Sequence, residues 1–180
     1  MRLENSFEVP APPERAWALL NDIPRIVPCM PGAELTEVVG ENAWKATLHV
    51  KLGPIALQFA TDVTRQEADV AARRVVLAAK AREVRGRGGA QATIESSLAA
   101  AESGTRVSIV TELTMQGAVA QYGRGVVGDV AAQLTKRFAE CVAQQLGDEP
   151  PAPAQATPVG GVRLGLGALW RSFVRLIRPR

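Results

Sequence analysis

"WKATLHVKLGPIALQFATDVT", residues 44–64, decides the architecture. In its first nine residues Trp44, Ala46, Leu48, Val50 and Leu52 are apolar, and Lys45, Thr47, His49 and Lys51 fall between them. Successive strand side chains point to opposite faces, so this alternation predicts a strand with one buried and one wet face. Gly53-Pro54 turns the chain, and Ile55, Leu57, Phe59 and Val63 take up the same alternation. Working outward, Val75, Leu77, Ala79 and Ala81 form the next apolar face. Gly86, Gly88 and Gly89 make a turn before Ala92, Ile94 and Leu98. Gly104-Thr105 turns again into Val107, Ile109, Thr111, Leu113 and Met115. Strands tied by short turns predict an antiparallel meander.

The flanks complete the fold. Residues 3–9 read as a strand closed by Pro10, and Pro12, Pro13 and Glu14 suit the first turn of a helix over 13–20. "NDIPRIVPCMPG", residues 21–32, holds three prolines and predicts short turns or broken helix. After Gly117 the period becomes helical over 118–146, with Val119, Val126, Val130, Leu134, Phe138, Cys141 and Leu146 near one face. An apolar sheet face must be covered, and this helix is the only element large enough to do it. The expected class is α+β: a helix-grip fold, a curved antiparallel sheet wrapped around a long C-terminal helix.

The inward set is rich in small residues (Ala46, Ala79, Ala81, Ala92 and Thr111), and residues 1–146 hold only six aromatics. Interiors pack to crystal-like density, so such a space is either occupied by a lipophilic ligand or closed by a sheet lying nearer the helix. Strand parity and the helix face assign a cavity lining of Leu57, Phe59, Leu77, Ala92, Ile94, Ile109, Leu113, Val119, Tyr122, Val126 and Val130. Gly123, Gly125 and Gly128 each weaken a helix interior by about 1 kcal/mol relative to alanine. They permit either close backbone approach or a loose, openable entrance.

Charge separates two parts of the chain. Residues 1–146 carry 16 Lys/Arg against 16 Asp/Glu, whereas residues 147–180 carry five arginines against Asp148 and Glu149. The net charge of +3 therefore sits in the tail. Nucleic-acid domains carry their basic patch on the folded body, so no nucleic-acid partner is expected. Cys29 and Cys141 stand far apart with no further ligand beside them, which predicts two separate structural thiols, no zinc site and a reduced cytoplasmic chain. The polar start "MRLENSFEVP" lacks a signal-peptide stretch.

No catalytic or metal-binding constellation is expected. The single histidine, His49, falls on a polar strand face without partners for a triad or metal. Asn21-Asp22 reads as a cap and turn, not an acid/base pair. "RGRGG", residues 85–89, joins two strands instead of opening a helix, so a turn is favoured over a phosphate cradle.

Residues 147–162 form a Pro/Ala-rich linker, and 163–180 end in "LGALWRSFVRLIRPR". On a helix, Arg171, Arg175 and Arg178 make one stripe, while Leu169, Trp170, Phe173, Leu176 and Ile177 occupy the opposite half. This is too short and too charged to span a bilayer. It suits a helix lying on an anionic membrane surface, with docking on the body or a partner protein as the alternative.

"WALLNDIPRIVPCMPG", "VKLGPIALQFATDVT", "SGTRV" and "GAVAQYGRGVV" together resemble the G-subunit family of carbon monoxide dehydrogenase, within the START/Bet v 1-like (SRPBCC) superfamily. The resemblance spans roughly residues 1–146; "QYGRG", with Tyr122 and Gly125, departs from the family's usual "QLGSR". It implies a non-catalytic accessory protein with a quinone, menaquinone or ubiquinone, as bound ligand and no covalent cofactor. The implied partner is a molybdenum hydroxylase such as CO dehydrogenase, coupled to carbon monoxide oxidation and electron transfer. The implied place is peripheral, on the inner face of the cell membrane. Superfamily cyclases and aromatases, which act on small hydrophobic substrates, supply the enzymatic alternative.

Overall fold

Two proline-bearing helices interrupt what is otherwise a meander. A computed structural model describes residues 1–52, 55–122 and 124–148. The chain runs β1 (Arg2–Val9), α1 (Pro13–Asn21), α2 (Ile23–Ile26), a 3-10 turn (Val27–Cys29) and β2 (Ala33–Gly40). It continues through β3 (Ala43–Leu52), β4 (Ile55–Asp69), β5 (Arg74–Glu83), β6 (Gly88–Ala101) and β7 (Gly104–Gly117). A second 3-10 turn (Ala118–Gln121) and α3 (Arg124–Asp148) follow. All seven strands form one antiparallel sheet in the order β1-β7-β6-β5-β4-β3-β2. The helix-grip expectation holds. The linker beyond Asp148 and the amphipathic segment 163–180 lie outside the described residues.

The register confirms the parity read from the sequence. One transverse row joins Trp44, Val63, Ala79, Ala92 and Leu113, and the next joins Ala46, Thr61, Ala81, Ala90 and Met115. Register shifts fall between Arg65 and Glu67 on β4 and within β2, where bulges bend the sheet. At the first of these, Val75 and Val76 are both buried, which strict alternation does not predict. Arg65 is the inward surprise. Its guanidinium lies 5.2 Å from the Trp44 ring and donates to the Asn21 carbonyl at the end of α1, where a cation suits the helix dipole.

The main core lies at one end of the sheet. Val9, Ala11, Ala16, Leu19, Cys29, Leu98, Val107, Phe138, Val142 and Leu146 pack together, and Phe7 meets Phe138 edge-on at 6.0 Å. Burying each large aliphatic side chain contributes roughly 1.5–3 kcal/mol. Arg15 fastens the same end by donating to the Leu146 carbonyl at 3.0 Å. Gly104, at φ +149°, lets the β6–β7 hairpin press on β1, since a Cβ there would stand 2.1 Å from the Val9 carbonyl oxygen.

Two expectations are corrected. The long helix does not start at residue 118. A separate 3-10 turn covers Ala118–Gln121, and α3 begins at Arg124 and runs two residues beyond 146. Gly117, at φ +71°, ends β7 and leads into that turn. Cys29 and Cys141 are not separate thiols but a disulfide with a Cα–Cα distance of 5.3 Å. Their separation of 112 residues conceals the pairing, because only the folded sheet brings the 3-10 turn against α3. Gln145 Nε2 donates to Cys29 Sγ at 3.2 Å.

Closing so long a loop stabilises chiefly by restricting the unfolded chain. Reduction, or Cys141→Ser, is expected to lower the unfolding free energy by about 3–5 kcal/mol in urea titrations. Alkylation in denaturant, read by mass spectrometry, should find no free thiol before reduction and both afterwards. In α3, a Cβ on Gly128 meets nothing within 4 Å, so close packing does not explain that glycine. Gly128→Ala is expected to raise stability by about 1 kcal/mol, measured as a shift of the urea midpoint.

Candidate ligand-binding site

The site begins just ahead of the start of β2. β2 pairs with β3 only from Ala33, opposite Leu48, so the edge of β3 beyond that point has no neighbouring strand. Gly32, at φ +79°, carries the chain around that edge and accepts a 2.8 Å bond from the His49 amide. A Cβ on Gly32 would lie 2.3 Å from the His49 carbonyl oxygen, so only glycine fits this turn. The uncovered edge opens into a cavity of about 540 Å³ between sheet and helix. Small-molecule sites span roughly 300–1,000 Å³.

The apolar walls are Val50 and Leu57 from the β3–β4 hairpin and Val130 and Leu134 from α3. Leu57, 2% exposed, anchors a second cluster with Phe59 and Val119, against which Leu48, Val50, Ala81, Met115, Tyr122 and Val130 pack. Ala46, Ala79, Ala90 and Ala92 share the helix-facing side of the sheet and are half-buried.

The sequence-derived lining divides in three. Leu57, Phe59, Val119, Tyr122 and Val130 are brought together, with Leu57 and Val130 on the cavity wall. Leu77, Ala92, Ile94, Ile109 and Leu113 share the concave face, half-buried, but do not line this cavity. Val126 is corrected: it is 42% exposed, and Val127, at 8%, turns inward instead. Val126 keeps the phase of Val130, one turn away, but stands near the start of α3, where it is left open.

The polar part of the rim was not foreseen. His49, Lys51, Gln133 and Arg137 line the cavity with Pro31, Gly32 and Ala56, and no carboxylate is among its lining residues. His49 is exposed as expected, yet it stands at the mouth. The signal for this was the Pro31-Gly32 turn directly before a strand. Strand parity alone points only to the concave face.

The glycine loop at 85–89 binds its own chain. Glu83, 5% exposed, accepts from the amides of Arg85 at 2.9 Å and Arg87 at 3.0 Å, so the amides that would cradle a phosphate hold a carboxylate. Asp22 accepts from the Arg25 amide at 3.2 Å and caps α2. Among the described residues no group of three His, Cys, Asp or Glu side chains is placed to hold a metal.

Solved structures share this architecture. A conserved protein from Geobacillus kaustophilus matches with a TM-score of 0.72 at 20% identity, covering 82% of this chain and 95% of its own. The Zhui aromatase/cyclase from Streptomyces sp. R1128 matches with a TM-score of 0.57 at 15% identity, covering 90% and 99%. Ara h 8.0201 matches with a TM-score of 0.56 at 16% identity, covering 83% and 99%. At these identities the likeness is one of fold, the helix-grip, Bet v 1-like fold. No curated protein sequence matches the chain. The family model for the G-subunit of carbon monoxide dehydrogenase (CoxG) matches residues 6–147, so the chain belongs to the CoxG family.

Proposed function

We propose that the protein is a non-catalytic accessory subunit that takes a membrane quinone, menaquinone or ubiquinone, or a similar lipid, into the cavity at the β3 edge. It serves a molybdenum-containing dehydrogenase of the CO dehydrogenase type and keeps that enzyme coupled to the inner face of the cytoplasmic membrane. The observation that carries this reading is an apolar cavity under α3 in a chain of the CoxG family. Leu57, Val130 and Leu134 offer aliphatic contact for an isoprenoid or acyl chain.

Among the described residues no helix is long and apolar enough to cross a membrane. Attachment in this proposal falls to the arginine-striped segment 163–180, with Trp170 at headgroup depth. The disulfide runs against the reduced chain expected from the cysteine spacing, and it is shielded from thiol exchange only at Cys29, since Cys141 is half-buried.

An organic extract of the purified full-length protein, read by mass spectrometry, is expected to contain quinone near one per chain. Val130→Trp fills the cavity from the helix side and is expected to weaken quinone binding by about tenfold or more, with the melting temperature nearly unchanged. An extract free of quinone, together with turnover of a polyketide, would transfer the assignment to a cyclase.

A further inference from the structure

The mouth of the cavity carries a second message. Its two apolar walls continue outward to the surface. On the sheet side, Leu57 is preceded on the same strand face by Ile55, 36% exposed. On the helix side, Val130 is preceded by one turn by Val126, 42% exposed. Along the opening stand Lys51, His49 and Arg137, with no carboxylate lining it; Asp129, the nearest acid along α3, is not part of the lining.

What sets the cations at the mouth apart is their place beside the cavity, since Lys80, Arg82, Arg85, Arg87 and Lys136 also have no ion pair among the described residues. Lys45, Arg2, Arg73, Arg74 and Arg106 are each held by a carboxylate. Lys51 and Arg137 have no ion-pair partner among the described residues. A body without net charge thus presents two unpaired cations and two exposed aliphatic side chains around the entrance to a lipophilic cavity.

We infer that this rim docks directly on an anionic bilayer, so that the cavity opens onto the lipid phase. The inference rests on the proposed membrane-resident ligand. Basic groups near an anionic leaflet are drawn to it within about a Debye length, roughly 8 Å at physiological salt. Ile55 and Val126 then enter the headgroup boundary as shallow apolar contacts. The tail keeps the protein at the surface, and the rim sets which way the body faces. A docking face for a protein partner is the competing occupant.

The test uses the full-length protein and vesicles with about 30% phosphatidylglycerol, anionic enough to attract single basic residues. Hydrogen exchange is expected to slow in residues 49–52, 55–56 and 126–137 on these vesicles, and not on pure phosphatidylcholine. Lys51→Glu with Arg137→Glu is expected to slow quinone uptake from the anionic vesicles by about tenfold or more, each basic group being worth roughly fivefold at such a surface. Uptake from neutral detergent micelles should stay within about twofold, which shows that the cavity is intact. Wild-type uptake rates in the double variant, or an unprotected rim while flotation shows the protein on the vesicles, would overturn the inference. So would rim protection given by the purified dehydrogenase and not by vesicles. Absence of quinone uptake from both vesicles and micelles in the unaltered protein rejects the ligand reading alone, and the exchange experiment still decides the docking.

Discussion

The packing of the last turns of α3 against β1 and α1 is the constraint on which the rest depends. Phe138, Val142 and Leu146 are sealed among Val9, Leu98 and Val107, and the Arg15 contact and the disulfide fix the same region. A helix held so firmly at one end is free to stand off the sheet at the other. There Val130 and Leu134 face Val50 and Leu57 across the remaining space, which is the cavity. The ligand site is thus a consequence of where the core was placed, not a separate construction.

The sheet was legible because its signal is local and repeated. Trp44, Ala46, Leu48 and Val50 announce their face by simple alternation, and pairing with Phe59, Thr61 and Val63 carries it across the sheet. The helix was legible where apolar residues recur, from Val130 to Leu146. It was misread over Ala118–Gln121, which form a separate 3-10 turn, because a helical period can be drawn through a break. Val126 lies on the face of Val130 but near the open start of the helix, so it stays exposed.

What stayed hidden was long-range. Cys29 and Cys141 carry no spacing signature, and their bond follows from the fold alone. The mouth depends on β2 beginning late, an absence of pairing that no residue of β3 announces. Arg65 sits at an inward position of β4 where alternation expects an apolar side chain, and its reason is the end of α1 and the Trp44 ring. Glu83 likewise breaks the pattern, because the amides of its own loop solvate its carboxylate. In each case a polar residue faces inward because a partner distant or irregular in sequence awaits it.

The covalent link between Cys29 and Cys141 also determines how mechanical load enters the molecule. The chain beyond Asp148 leaves from the end of α3, so a pull on it can unwind only the turns after Cys141 before it reaches the crosslink. From there the force divides between α3 and the 3-10 turn beside β2, and strands β2 to β7 lie within the closed ring. β1 and α1 lie outside the ring and are joined to it by the β1–β7 pairing and the contact of Phe7 with Phe138. The cavity walls on β3, β4 and α3 all belong to the ring, so tension from the C-terminus reaches them as parts of one covalently closed unit.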